Sequence, residues 1–265
     1  MNSLLILVII GVYFLSLFVI SQVTKGKSDS QTFFSGNRNS KWYVVAFGMV
    51  GASLSGITFI SVPGDVGVIN FTYFQVVIGY LIGYFVVAYL LLPIYYKNGL
   101  TSIYEFLGNR FGKFSHKTGA IFFFISRVLG ASFRLFLVAI VLQEFIFDQW
   151  GIPFEITVTF SIILIWLYTF QGGIKTVIWT DTIQTFFMIL SVLISIFFIT
   201  NSFDQTLFEF FNSEFYSKKS QVFIFEDFYN KSYFLKSFLG GMFSTICMTG
   251  LDQDMMQKNL TCRKL

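Results

Sequence analysis

The sequence predicts an all-α integral membrane protein with about seven transmembrane helices. Three observations carry this. Hydrophobic residues make up 55% of the 265 positions and charged residues 12%, whereas a soluble domain carries about 25% charge. The apolar residues fall into runs of about 20 or more, long enough to cross a bilayer. The basic residues fall on alternate loops, as the positive-inside rule requires. The net charge of +4 is spread through short loops, which gives no signal for nucleic acid. The 37 Phe suit lipid-facing and packing surface.

The spans are expected at residues 3–23, 42–66, 70–96, 118–147, 153–171, 178–200 and 233–256. The first has no basic n-region and no small-residue cleavage site after it, so it reads as a retained helix. The loops holding Lys25, Lys27, Arg38 and Lys41, then Arg110, Lys113 and Lys117, then Lys175, fall on one side, as do Lys258, Arg263 and Lys264 after the seventh span. The opposite loops are mainly acidic. This places the N-terminus outside and predicts a multi-pass protein of the inner or plasma membrane.

Two loops carry structure of their own. Residues 101–112 predict a short cytoplasmic helix with Thr101 as N-cap, Glu105 in its first turns and Gly108 and Gly112 near its end. Residues 202–230 space Phe203, Leu207, Phe210 and Phe211 along one face, which predicts an external amphipathic helix on the protein or membrane surface. His116 sits beside lysines in a polar loop and reads as a solvated residue. Cys247 and Cys262 have no metal-ligand spacing and form no disulfide framework. No Walker motif and no Rossmann fingerprint is present, so nothing points to a nucleotide or to another cofactor. Nor is there a nucleophile–base or metal-ligand constellation for an enzyme.

The most informative stretch is AFGMVGASLSGITFISVPG at 46–64. Gly51, Ser53, Ser55, Gly56, Thr58 and Ser61 crowd an otherwise apolar run, and Pro63 follows. These residues weaken helix hydrogen bonding. A break in a membrane helix survives where the freed backbone groups are buried in protein or line a cavity, which is how transporters build midplane ion and substrate sites. The competing reading is a stripe of small residues that lets two helices approach.

This run stands with four other segments: FFSGNRNSKWYVVAFG, SIYEFLGNRFG, GGIKTVIWTDTIQTFFM at 172–188 and GLDQDMMQKNLTCRK at 250–264. In order and spacing they resemble the sodium:solute symporter family, whose members carry sugars, proline, iodide, vitamins, monocarboxylates and sialic acids. The resemblance implies a LeuT-type fold, an extra N-terminal helix followed by an inverted five-helix repeat. Residues 1–265 would then form a partial symporter domain: the extra helix, the first repeat and the first helix of the second. Span two becomes the first core helix and span seven the sixth. Family members are usually much longer, so a fragment or a truncated gene product is expected, and residues 1–265 alone are not expected to transport.

The resemblance also implies site residues. One sodium ion is held by backbone carbonyls where the first core helix unwinds, at Gly51 and Leu54, with hydroxyls of the eighth core helix completing the site. A hard cation takes oxygen ligands, and an interrupted helix frees carbonyls to serve. Ser53, Ser55 and Thr58 flank the break as candidate substrate contacts. The alternative for each hydroxyl is a bond back to the preceding turn. Asp181 of the WTD motif is implied to draw sodium in or release it inward, with Thr182 and Gln184 as weaker companions. By hydropathy alone Asp181 would read as an interface residue. Arg127 and Arg134 lie seven residues apart on one helix face. An arginine at mid-bilayer costs roughly 2.5–3.5 kcal/mol on insertion scales, which a partner or polar cavity offsets. Arg134 is a candidate for a substrate carboxylate, as in the sialic-acid branch, or for a structural ion pair. Gln75 is a further candidate polar contact. Asp252, Gln253 and Asp254 read as a cytoplasmic gate or a solvated helix end. Thr245 and Met248 stand where sugar-binding residues occur in galactose-type relatives, which disfavours a galactose-like substrate.

The function expected from this is sodium-coupled symport of a small organic solute, with a carboxylate as one candidate, by alternating access. Sodium is the coupling ion, and the partners are the solute, sodium and the lipid bilayer. The alternatives are a transporter-like sensor module and an inactive truncated remnant.

Overall fold

The computed structural model describes residues 3–24, 36–54, 56–100, 102–169, 173–203 and 206–263, and every regular element among them is a helix. In chain order these are α1 (Ser3–Thr24), α2 (Trp42–Ser53), α3 (Gly56–Ile69), α4 (Tyr73–Val86) and α5 (Leu92–Lys97). There follow α6 (Ile103–Phe111), α7 (Lys113–Leu142), α8 (Phe154–Thr169) and α9 (Gly173–Ser202). The last are α10 (Leu207–Phe211), α11 (Glu214–Lys219), α12 (Phe234–Thr245) and α13 (Gln253–Asn259). Helix α1 is apolar around its whole circumference. On α1 alone Leu4, Leu5, Val8, Val12, Leu15, Val19 and Val23 are exposed. A helix that is apolar all round belongs in lipid. At 22 residues α1 extends about 33 Å, and α7 and α9 at 30 residues extend about 45 Å, each enough for the ~30 Å hydrocarbon core.

The chain divides into two compact units. The first comprises residues 1–40 and 102–180. In it α8 packs on α7 and on α1, and α6 folds back on α7. The turn from α7 to α8 is clamped by Gln143, whose Nε2 donates to Asp148 Oδ1 and to Ile152 O, each at 2.6 Å, while its Oε1 accepts from the Thr157 hydroxyl. The end of α1 is tied to the start of α9 by a 2.7 Å hydrogen bond between Thr24 and Thr176. The short helix α6 forms as expected, but its cap is Ser102, whose Oγ accepts the Glu105 N–H at 3.0 Å. The Ser-x-x-Glu spacing selects this residue; Thr101 lies outside the described residues.

The second unit comprises residues 41–101 and 181–265. Its principal contact is α12 against α4. Glycines make it. A Cβ on Gly79 would lie 2.1 Å from Phe238 O, one on Gly241 2.2 Å from Val76 O, and one on Gly83 2.7 Å from Met242 O. Apolar side chains gain nothing by leaving lipid for a neighbouring helix, so close backbone approach supplies the attraction. Between α3 and α4 the regular helix is interrupted at Asn70, with φ +57°. Asn is one of the few residues that takes this region readily.

The segment that follows α9 differs from the single amphipathic helix expected. It forms two short helices, α10 and α11, followed by an irregular run from Ser220. The division follows from competing caps. Thr206 and Glu209 form a capping box on α10, and Ser213 then caps α11 by accepting the Tyr216 N–H at 3.2 Å. The Thr206 N–H, 2.7 Å from the carboxylate, holds Glu209 below the usual carboxylate range. The segment lies on its own unit: Lys219 Nζ donates to Gly67 O at 2.7 Å.

Candidate functional site

The run at 46–64 is broken where its Gly and Ser content indicates. Helix α2 stops at Ser53, Leu54 turns extended (φ −84°, ψ 122°), and α3 resumes at Gly56. The Leu54 N–H still bonds Val50 O at 2.9 Å. The carbonyls after Val50 lie beyond the last regular turn, where a helix offers no intrahelical donors. Gly51 and Leu54 fall among these. Among the described residues no three His, Cys, Asp or Glu side chains gather as a metal cage. A cation here would therefore be held by main-chain and hydroxyl oxygens, a donor set that fits a hard monovalent ion.

Helix α9 packs along α2 through two threonines. The Thr182 hydroxyl donates to Val44 O at 3.2 Å, and the Thr185 hydroxyl to Phe47 O at 3.1 Å and Asp181 O at 2.7 Å. Gly51 is what admits Thr185: a Cβ there would sit 1.9 Å from Thr185 Oγ1. These pairings run in the same direction along both helices. They place Asp181 at the level of the early turns of α2, below Gly51 and the break, with Thr185 between.

The Asp181 carboxylate is not solitary. Lys258 Nζ lies 2.8 Å from Asp181 Oδ2 and 3.4 Å from Asp254 Oδ2. The Lys258 side chain is 4% exposed, against 17% for Asp181 and 44% for Asp254. Lys258 was counted among the basic residues that follow span seven. It stands instead on α13, after a second interruption. A π-helical turn at Ile246–Gly250 ends α12, and the chain bends by 67° into α13. Tyr95 Oη donates to Gly250 O at 3.3 Å, and the Asp252 carboxylate caps α13 by accepting the Asp254 and Met255 N–H groups at 2.9 and 3.3 Å. Asp252 and Asp254 thus act as a cap and an ion-pair partner, and α13 packs against α2.

Ser53 Oγ bonds back to Met49 O at 2.9 Å, in the preceding turn. Ser55 lies outside the described residues. Thr58 stands in the first turns of α3, half-buried. Gln75 is fully buried and its amide is spent on backbone: Nε2 donates to Thr72 O at 3.2 Å and Ser232 O at 2.8 Å, and Oε1 accepts from Ile224 N at 3.4 Å. It therefore fastens the segment before α12 to α4. Arg134 is exposed on α7 within its own unit, and no acid lies within ion-pair distance of it among the described residues. Arg127 rests over the Phe123 ring at 5.4 Å. Sequence reasoning missed Lys258 and Thr185. The signal for Lys258 was its spacing, four residues after Asp254 on one helix face.

Long apolar helices, two interrupted spans and a largely buried carboxylate–ammonium pair beside the broken segments are the features of a broken-helix membrane fold. The chain belongs to the sodium:solute symporter family, whose model matches residues 33–255. Its relatives are transporters rather than enzymes. It is 27% identical over 265 residues to sodium-coupled monocarboxylate transporter 1 of Xenopus laevis, covering 98% of this chain and 40% of that protein. It is 32% identical over 182 residues to the sodium/sialic acid symporter NanT of Aliivibrio fischeri, covering 66% of this chain and 32% of that one. A solved Na+-coupled sialic acid symporter, in a substrate-bound outward-open state, superposes with a TM-score of 0.78 at 23% identity over 94% of this chain and 52% of its own. The fold is thus LeuT-type, and the chain spans well under half the length of the curated relatives it matches.

Proposed function

We propose that the protein performs sodium-coupled symport of a small organic solute across the cell membrane, with the N-terminus outside. The observation that supports this most is the interruption of α2 at Leu54, against an α9 that carries Asp181. In this reading the Gly51 and Leu54 carbonyls face the ion, and Thr58 and Ser55 contact ion or solute. Asp181, nearer the start of α2, lies on the inward path. Sodium entering down its gradient supplies about 2.3 kcal/mol per charge per 100 mV of membrane potential, and alternating access converts this into solute accumulation. Sodium-driven uptake by the full-length protein in proteoliposomes tests the reading. Asp181→Asn is expected to raise the sodium concentration for half-maximal uptake several-fold at equal protein level. Uptake that ignores sodium in the unaltered protein would reject symport.

The solute we infer is a small carboxylate. Arg134 supports it, being a cation inside a spanning helix with no acid within ion-pair distance among the described residues. The relatives named for monocarboxylate and sialic acid transport point the same way. A planar guanidinium binds a carboxylate through two parallel N–H bonds, which an ammonium cannot reproduce. Arg134→Lys is therefore expected to lower apparent solute affinity about tenfold without lowering thermal stability. Carboxylates are expected to compete for uptake and their uncharged amides not to; equal competition by both would exclude an acidic solute.

A further inference from the structure

We propose that Lys258 is a tethered counter-cation that holds α13 on α9 through Asp181, and that an arriving sodium ion displaces it onto Asp254, releasing α13. The inference rests on the sodium-symport reading and deepens it. The cluster joins one ammonium to two carboxylates, so it keeps one net negative charge and attracts a further monovalent cation. The two seats for Lys258 are already in reach, at 2.8 Å on Asp181 and 3.4 Å on Asp254. The exchange therefore strands no charge. Sodium takes the Asp181 oxygens while the ammonium settles on the more exposed Asp254, one helical turn away on its own helix. A permanent structural pair would need no second acceptor, and burying it brings little net stability. No other cation lies within ion-pair distance of Asp181 among the described residues. The end of α13 is secured by Tyr96 Oη, which donates to Asn259 O at 3.0 Å and Cys262 O at 3.2 Å. Cys262, half-buried beside this anchor, therefore reports whether α13 is docked.

The test uses the full-length protein with Cys262 as its single cysteine, alkylated by a membrane-impermeant maleimide in inside-out vesicles. Sodium chloride is compared with choline chloride. Sodium is expected to speed Cys262 labelling several-fold. Lys258→Met and Asp181→Asn are expected to label fast in both salts, and Lys258→Arg to keep the sodium response. Asp254→Asn removes the second seat and is expected to raise the sodium concentration for half-maximal labelling several-fold, a shift that a merely structural bridge would not produce. Labelling that ignores sodium while uptake still requires it would overturn the latch and leave the symporter reading intact. Loss of sodium dependence from both would overturn the two together. A Lys258→Met protein whose labelling still responds to sodium would also refute the latch.

Discussion

Gly241→Leu is expected to collapse the second unit. The new Cβ would meet Val76 O at 2.2 Å, and the atom it strikes belongs to the backbone of a packed helix. No rotamer change relieves such a contact, so α12 and α4 must part. Overpacking in a core costs about 1–3 kcal/mol, occasionally more. Here the whole interface opens, which places the loss at about 3 kcal/mol or above. Thermal unfolding in detergent is expected to fall by more than ten degrees, or folded protein to be lost from size-exclusion profiles. Gly240→Leu is the control, since nothing lies within 4 Å of a Cβ there. It is expected to behave like the unaltered protein, and equal damage from both substitutions would refute the glycine-contact account.

Gly51→Ala carries the second large effect, and it falls on function. The added methyl would sit 1.9 Å from Thr185 Oγ1 and 2.9 Å from Thr185 Cβ. Thr185 is fully buried and its hydroxyl is committed to Phe47 O and Asp181 O. Either the threonine abandons those bonds or α2 moves off α9. Both outcomes shift the carbonyls proposed to face sodium. A displacement of about 1 Å at a positioning element costs on the order of 100-fold in turnover. Sodium-driven uptake by the full-length Gly51→Ala protein is expected to fall by about that factor. Adding Thr185→Ala removes the closer clash and leaves the Cβ contact, so part of the loss is expected to return. Leu54→Met, which changes only a side chain at the break, is expected to leave uptake within about twofold, a volume-conserving change of the kind cores tolerate. A dead Leu54→Met protein would mean that more than the main chain is used there.

Much of this fold is written locally. Seven spans were expected; among the described residues four helices are long and apolar enough to cross a membrane, five with the bent pair, and the break at Leu54 follows from Gly, Ser and Thr concentrated in one apolar run. What the sequence concealed depends on distant partners. Lys258 read as one more positive residue at a membrane face because hydropathy weighs each residue alone; its partner Asp181 is far away in the chain. The bend between α12 and α13 has no proline to announce it. It arises from a π-helical turn and from Asp252 offering a fresh cap, each an ordinary residue in context. Gln75 looked like a free polar side chain in a membrane helix, and its three backbone partners lie in neighbouring turns and in a loop that carries no motif. The segment between α9 and α12 showed a helical period, yet Ser213 supplies a second cap within it.

The glycine contact between α4 and α12 also sets an order of events during biosynthesis. Gly79 and Gly241 are separated by 162 positions (241 less 79). At about 5–20 residues per second, α4 emerges roughly 8–30 s before its partner. The shallow groove along Gly79 and Gly83 is filled by the backbone of α12 itself. Lipid chains must occupy that groove in the interval and be expelled when α12 inserts. Closure of this pair is thus a late, lipid-displacing step, and a nascent chain stalled before residue 241 would carry α4 in the bilayer as an unpaired helix with its groove open.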